Sequence, residues 1–413
     1  MQAGRVAAVL PRQRQLHNGC MGHVLVAGAG IGGLAVALAC ARAGHTVQLL
    51  EQSRQLSEVG AGIQLGPNAV RRLDAWGLAA DLARVASWPQ RLELHSADRH
   101  RLLGQMPLGA AMQLRYGYGY ATVHRADLQQ LLLQAVRAES GVELVLGHPV
   151  TDFEQSEHGV RLHCAAQVFE GDVLLAADGV WSVVREQLHN DRAARSTGHV
   201  AYRALIDSDA VPDALSTSAV HTWMGPHMHV VAYPVSGGSR FNLVLIAEQR
   251  AAAGAVDAHE GWDGASNRAT VLQAAVGMRG LLPELLQLVD SWRQWPLYDR
   301  MPVRDAAELA QGRVALLGDA AHPMRPYLAQ GAAMALEDAA ELGVRLQGCT
   351  GAAMAAALGA YAAARWQRVA RVQRRAQRNG QIFHATGLMR VGRDASLGVL
   401  GERLLDLPWL YAG

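Results

Sequence analysis

The tightest constraint on the fold lies in residues 24–51. VLVAG (24–28) is a short apolar run suited to a buried parallel strand, and Gly28-Ala29-Gly30-Ile31-Gly32-Gly33 follows at once. LAVALACARAG then predicts a helix ending at Gly44, and TVQLL (46–50) a second strand running into Glu51-Gln52. In such a unit Gly28 permits the tight turn, Gly30 lets backbone approach a pyrophosphate, and Gly33 brings helix against strand. The helix N-terminus offers unpaired N–H groups to the phosphates. Glu51, 23 residues beyond Gly28, is placed to accept hydrogen bonds from ribose hydroxyls. A carboxylate there repels a 2′-phosphate, so the motif predicts FAD or NAD rather than NADP.

At roughly 150 residues per domain, 413 residues make two or three units. Thirty-eight basic and thirty-six acidic residues nearly cancel, which gives no electrostatic case for nucleic acid. No lysine occurs, so Schiff-base chemistry and a GK[ST] phosphate loop are excluded. The four cysteines are widely spaced, and none of the seventeen histidines falls in a metal-binding spacing; no metal and no disulfide framework are expected. No apolar run reaches the ~20 residues of a membrane helix, so a cytoplasmic protein outside the membrane is expected. Residues 1–21 read as a disordered leader.

Two later segments end apolar strands in an aspartate. VLLAADGVWSVVR (173–185) places Asp178-Gly179 ahead of a turn with Ser182 and Arg185. VALLGDAAHPMRPYLAQGAAMALED (314–338) places Gly318-Asp319 ahead of a proline-bounded loop, Gly331 and an alanine-rich helix. Ligands of open α/β sheets bind at the carboxyl ends of strands. Acids at two further strand ends suit a long cofactor with many hydroxyls. TVHRADLQQLLLQAV (122–136) puts Arg125 at a helix start, with Asp127 as the expected cap.

Together, GAGIGG with Glu51, VHRADL, AADGVWSVVR and GDAAHPMRPYLAQGAAMALEDA resemble the single-component flavin-dependent aromatic hydroxylases of the p-hydroxybenzoate hydroxylase fold. Salicylate hydroxylase, 3-hydroxybenzoate 6-hydroxylase and 6-hydroxynicotinate 3-monooxygenase belong to this group. The resemblance spans residues 22 to about 380. It implies bound FAD, with Glu51-Gln52 at the ribose, Arg125 near the pyrophosphate, Asp178 in a segment shared by FAD and NAD(P)H, and Asp319 on the ribityl chain. By the same resemblance, the amides of Gly331 and Ala332 face the flavin ring, where a helix N-terminus favours negative charge. EVGAGIQLGPNA (58–69) matches the family's flavin-side loop. NAD(P)H is expected to dock transiently, because no second glycine module appears.

The expected architecture is α/β. A discontinuous Rossmann-like FAD-binding domain with a parallel sheet (22–88, 120–195, 301–358) carries an inserted antiparallel substrate domain (89–119, 196–300) and C-terminal helices (359–413). In HMHVVAY, His229, Val231 and Tyr233 share one face of a strand by the period-two rule. The resemblance makes His229 and Tyr233 substrate-contacting residues and adds Tyr327. His229 is the expected base for the phenol proton; His227 competes for the role. Gln64 and Pro326 depart from residues found in the hydroxynicotinate and 3-hydroxybenzoate enzymes. LPELLQLVDSWRQWPLYDRMPV (282–303) reads as a helix returning to the sheet, and the arginines of 361–378 as a solvated or interdomain face. The apolar tail is expected to dock on the body or on another subunit, which leaves room for a homodimer.

The expected activity is NAD(P)H- and O2-dependent hydroxylation of a small phenolic acid of salicylate or hydroxybenzoate type through a flavin C4a-hydroperoxide. The alternatives are hydroxylation of an N-heteroaromatic or quinone precursor, and flavin oxidoreduction without oxygen insertion.

Overall fold

The computed structural model describes residues 22–56, 61–99, 101–165, 167–190, 194–249 and 264–412. The leader and residues 58–60 of the flavin-side loop lie outside them. Strand His23–Ala27, buried along four of its five residues, lies in a parallel sheet between Thr46–Glu51 and Val173–Ala176. Val142–Leu146 and Val314–Leu316 extend the sheet on either side, and Ala310–Gln311 closes one edge antiparallel. Both faces are covered, which is why these strands read as unbroken apolar runs. Helix Ile31–Arg42 packs closely on helix Gly331–Leu346, and a Cβ on Gly343 would stand 2.9 Å from that of Ala39.

A second sheet holds eight strands. Their order is Gly264–Asn267, Ser291–Asp299, Arg195–Asp207, Arg240–Glu248, Met228–Val235, Ala219–Gly225, Arg91–Ser96 and Arg101–Pro107. It is antiparallel except where Ala219–Gly225 runs parallel to Arg91–Ser96. The period-two expectation holds in packing. Met228, Val230 and Ala232 enter an apolar cluster with Val271, Leu282, Leu285 and Leu286 from helices Arg268–Ala274 and Leu281–Gln287. Val231 and Tyr233, on the other face, pack against the main core.

Three sequence expectations need correction. Segment 282–303 is a short helix to Gln287 followed by strand Ser291–Asp299, because Trp292 buries on one face of the second sheet and Trp295 and Leu297 on the other. Asp127 is no cap: the helix Arg125–Ala138 starts straight out of strand Ala121–His124, so Asp127 falls inside its first turn and accepts from Ser236 Oγ at 2.9 Å. The arginine-bearing helix runs Ala352–Phe383, and Arg365 is not solvated. Its guanidinium binds Glu337 Oε2 at 2.6 Å and Asp338 Oδ1 at 2.8 Å, and Arg368 adds a second cation to Glu337. The tail docks on the body, with Leu410 buried and Arg368 donating to the carbonyls of Trp409 and Leu410. No helix among the described residues is long and apolar enough to cross a membrane.

Candidate active site

The three acid- and glycine-bearing strand tips meet on one sheet edge. Ala27, Ala176 and Leu316 stand in register on adjacent parallel strands, so Gly28, Asp178 and Asp319 emerge side by side. Arg185 ties two of the tips together by donating from Nη1 to the Ala321 carbonyl at 2.7 Å, and Ser182 caps its helix by accepting from the Arg185 N–H. Gly28 has φ +92°, and a Cβ on Gly33 would fall 1.7 Å from the Gly28 carbonyl oxygen. The turn therefore requires glycine at both positions. A Gly33→Ala chain is expected to lose the turn and purify without the flavin absorbance of the parent, which a visible spectrum checks.

The same edge fits a dinucleotide on grounds of its own. A Cβ on Gly30, Gly179 or Gly331 would meet nothing within 4 Å, so backbone there is open to an incoming group. Glu51 accepts from the N–H groups of Ala29 (2.8 Å) and Ser53 (2.9 Å), which sets its carboxylate beside the glycine turn; Gln52 is exposed next to it. Asp178 is half-buried, desolvation raises its pKa, and its buried Oδ1 has no hydrogen-bond partner among the described residues while Oδ2 accepts from the Val184 N–H. A buried carboxylate oxygen without a donor is costly unless a ligand supplies one. Asp319 is exposed in the turn Gly318–Ala321, Arg125 begins its helix, and Gly331 and Ala332 open helix Gly331–Leu346.

On the second sheet, His229, Val231 and Tyr233 align with Ile246, Val244 and Asn242, and these with Ala201, Arg203 and Leu205. All nine share one face. His229, Ile246, Tyr233 and Asn242 are buried, whereas Val231, Val244 and Arg203 in the middle row are only partly so. A valine floor thus lies between an imidazole at one end and a phenol at the other.

His229 is held by residues far away in sequence. Its Nδ1 lies 2.8 Å from His384 Nε2, and His384 Nδ1 lies 3.2 Å from Glu248 Oε1. The carboxylate can only accept, so His384 donates from Nδ1 and, when neutral, accepts at Nε2. His229 then donates from Nδ1, which leaves the lone pair on its own Nε2. Burial lowers the His229 pKa well below the usual imidazole value, and His384 and His199 beside it add to this. The His384 pKa falls to about 4, again mainly through burial. Both rings are therefore neutral near pH 7. Glu248 is kept ionised, against the effect of its burial, by His227 and His384. His227, exposed in a left-handed turn at φ +62°, binds Glu248 Oε2 at 2.7 Å and lies outside the buried line.

Tyr327 packs its ring 5.1 Å from that of His229, and its hydroxyl pairs with His199 Nδ1. Tyr233 hydrogen-bonds Gln64, which also accepts from Tyr120 at 2.7 Å. Burial raises the pKa of both Tyr233 and Tyr327, so both phenols stay protonated. Arg203 is a member of this face that sequence reasoning missed. Its guanidinium lies 4.8 Å over the Trp295 ring, its Nε has no hydrogen-bond partner among the described residues, and burial lowers its pKa to about 10. His199, Glu248 and His384 were missed as well. An arginine at an inward strand position was the one available signal for Arg203; nothing local marks His384, 155 residues from its partner.

A family model described as FAD binding domain matches residues 21–376. The chain is 39% identical to 3-hydroxybenzoate 6-hydroxylase of Polaromonas naphthalenivorans (strain CJ2), over 94% of this chain and 95% of that protein. It is 35% identical to 6-hydroxynicotinate 3-monooxygenase of Bordetella bronchiseptica, over 85% and 89%. Among solved structures, a salicylate hydroxylase substrate complex superposes with a TM-score of 0.81 at 26% identity, covering 96% of each chain. Klebsiella pneumoniae HpxO complexed with FAD and uric acid gives 0.80 at 26%, covering 93% and 94%. With its strand tips gathered on one edge and relatives matched over nearly its whole length, this chain belongs to the FAD-dependent aromatic hydroxylases built on the FAD binding domain.

Proposed function

We propose that the protein hydroxylates a small aromatic carboxylate bearing a phenolic hydroxyl, of the hydroxybenzoate class, using NAD(P)H and O2. The observation that carries this reading is the partly open valine floor with His229 at one end, Tyr233 at the other and Arg203 beside the valines in the middle row. Gly28, Gly30, Gly33, Glu51, Gln52, Arg125, Asp178, Asp319, Gly331 and Ala332 would hold FAD, which when bound and reduced supplies activated oxygen for electrophilic attack on the ring. The sheet edge at 22–88, 120–195 and 301–358 then serves as the cofactor body and 89–119 with 196–300 as the substrate lobe.

The remaining chemistry falls to this chain's side chains. An electrophile attacks a phenolate faster than a phenol, and a free phenol loses its proton only near pKa 10. His229 Nε2 accepts that proton, because the Glu248–His384 line keeps its other nitrogen protonated, and the Glu248 carboxylate at the end of the line offsets the positive charge that burial otherwise disfavours. His384 and Glu248 are positioning residues in this scheme. Arg203 pairs with the substrate carboxylate over Val231 and Val244, and Tyr233 donates a hydrogen bond beside it. The buried ring of Tyr327 and the partly buried ring of Phe383 help exclude water, which limits wasteful release of H2O2.

Supplying a panel of hydroxybenzoates and hydroxypyridines and recording NADH oxidation, oxygen uptake and hydroxylated product tests the reading. Coupled product from a hydroxybenzoate supports it, and turnover confined to hydroxypyridines or to uncharged phenols overturns it. A charge-assisted hydrogen bond contributes about 1.5–3 kcal/mol. Arg203→Met is therefore expected to raise KM for a carboxylated substrate by roughly 10–150-fold. The same change should leave KM for the matching phenol without a carboxylate nearly unchanged.

A further inference from the structure

On the opposite face of the same sheet, the parallel pairing sets Glu93 against His221 and His95 against Trp223. Strand residues two apart share a face, so ELH (93–95) and HTW (221–223) bring one carboxylate and two imidazoles together. His221 Nδ1 lies 3.1 Å from Glu93 Oε2, His95 Nε2 lies 3.2 Å from the same oxygen, and the two ring nitrogens are 3.5 Å apart. This group is separate from the site described above: the register puts His229 on the face of Met224 and Thr222, not on that of His221.

Hydrogen bonding turns a lone pair of His221 into this triangle. His221 Nε2 lies 2.8 Å from the Ser216 carbonyl, which only accepts, so Nε2 carries the hydrogen. In the neutral ring, Nδ1 then presents a lone pair to a carboxylate oxygen 3.1 Å away, one acceptor facing another. Arg91 binds the other carboxylate oxygen of Glu93, Oε1.

We propose that Glu93 Oε2, His95 Nε2 and His221 Nδ1 form a zinc site that stitches strand Arg91–Ser96 to strand Ala219–Gly225. Zinc bonds of about 2.0–2.1 Å at tetrahedral angles set neighbouring donor atoms about 3.3–3.4 Å apart, and the three observed separations bracket that value. The Ser216 carbonyl supplies the outer hydrogen bond that orients a ligating histidine. Water takes the fourth position on the side where His95 and Glu93 are 21% and 14% exposed. The metal joins two segments 126 residues apart in the chain, and its effect is on stability rather than on ring hydroxylation.

The experiment uses the untagged holoenzyme, stripped with a chelator and dialysed against Zn2+ alone. One equivalent of bound zinc and a raised Tm are expected, with Co2+ giving tetrahedral bands to the red of the flavin absorbance. Loss of an outer partner already costs about 10–100-fold in metal affinity. Glu93→Gln and His95→Asn are each expected to weaken zinc by about 100-fold or more, with FAD content and turnover kept. His95→Asn carries the test if a change at the buried His221 prevents folding. His384→Asn separates this site from the His199, Glu248 and His384 group, which also clusters within ligand reach. Absence of stoichiometric zinc overturns the proposal, as does binding unaffected by His95→Asn and Glu93→Gln or abolished by His384→Asn.

Discussion

Hydroxylated product is expected to fall by about 10²–10⁴-fold in a His229→Ala enzyme that keeps its full complement of FAD. The size of the effect follows from the position of the proton. Without a base beside the phenol, the ring stays protonated well above neutral pH, and electrophilic attack on it slows. NADH oxidation should fall less than product, because reduction of the cofactor does not require the phenolate, and the difference should appear as H2O2. Raising the pH should recover part of the lost product in the variant, since hydroxide then does what the imidazole did. Product assays and peroxide assays across a pH series check this. Intact turnover and coupling in His229→Ala would remove His229 from the scheme.

The second large effect concerns stability. Arg365, with its side chain 7% exposed, neutralises Glu337 and Asp338, whose side chains are 2% and 0% exposed. Removing one partner of a buried ion pair leaves an uncompensated charge and typically costs about 3–5 kcal/mol. Arg365→Met is expected to lose about that much in urea unfolding at saturating FAD. A pH signature should accompany it. Burial alone would raise the pKa of Asp338, but His322 and Arg365 bring it down from 3.8 to about 2. A depressed carboxylate pKa stabilises the fold above the unfolded value, and that stability is lost as pH falls from 3.8 towards about 2. In Arg365→Met one cause of the depression is gone, so the acid-side loss should begin at the same pH but end at a higher one and be smaller. An acid limb identical to the parent's would show that Arg365 does not hold Asp338.

The same ion pairs show what the sequence could and could not reveal. Arginines at 365, 368, 371, 374, 375 and 378 look like a solvated or interdomain helix face, and charge spacing along one helix does not say which, because it carries no information about the neighbouring element. The partner carboxylates, Glu337 and Asp338, belong to a helix that the sequence marks only as alanine-rich. Asp127 was legible as a cap by type and spacing, yet it lies inside the first turn because the preceding strand enters the helix without a loop.

The nucleotide edge was open to sequence reading because its determinants are local. The Gly28 turn, the close approach at Gly33 and the acid after the second strand are set by backbone sterics within one βαβ unit. Strand period likewise decided that His229 and Tyr233 share a face, since alternation follows from the pleat alone. Tertiary structure alone decided which groups stand beside them. Arg203 reaches the valine floor through two inter-strand registers, and His384 reaches His229 from the end of a helix 155 residues away. The Glu93, His95 and His221 group exists only because two distant strands pair in parallel. Side-chain chemistry between segments depends on register and packing, which no local pattern encodes.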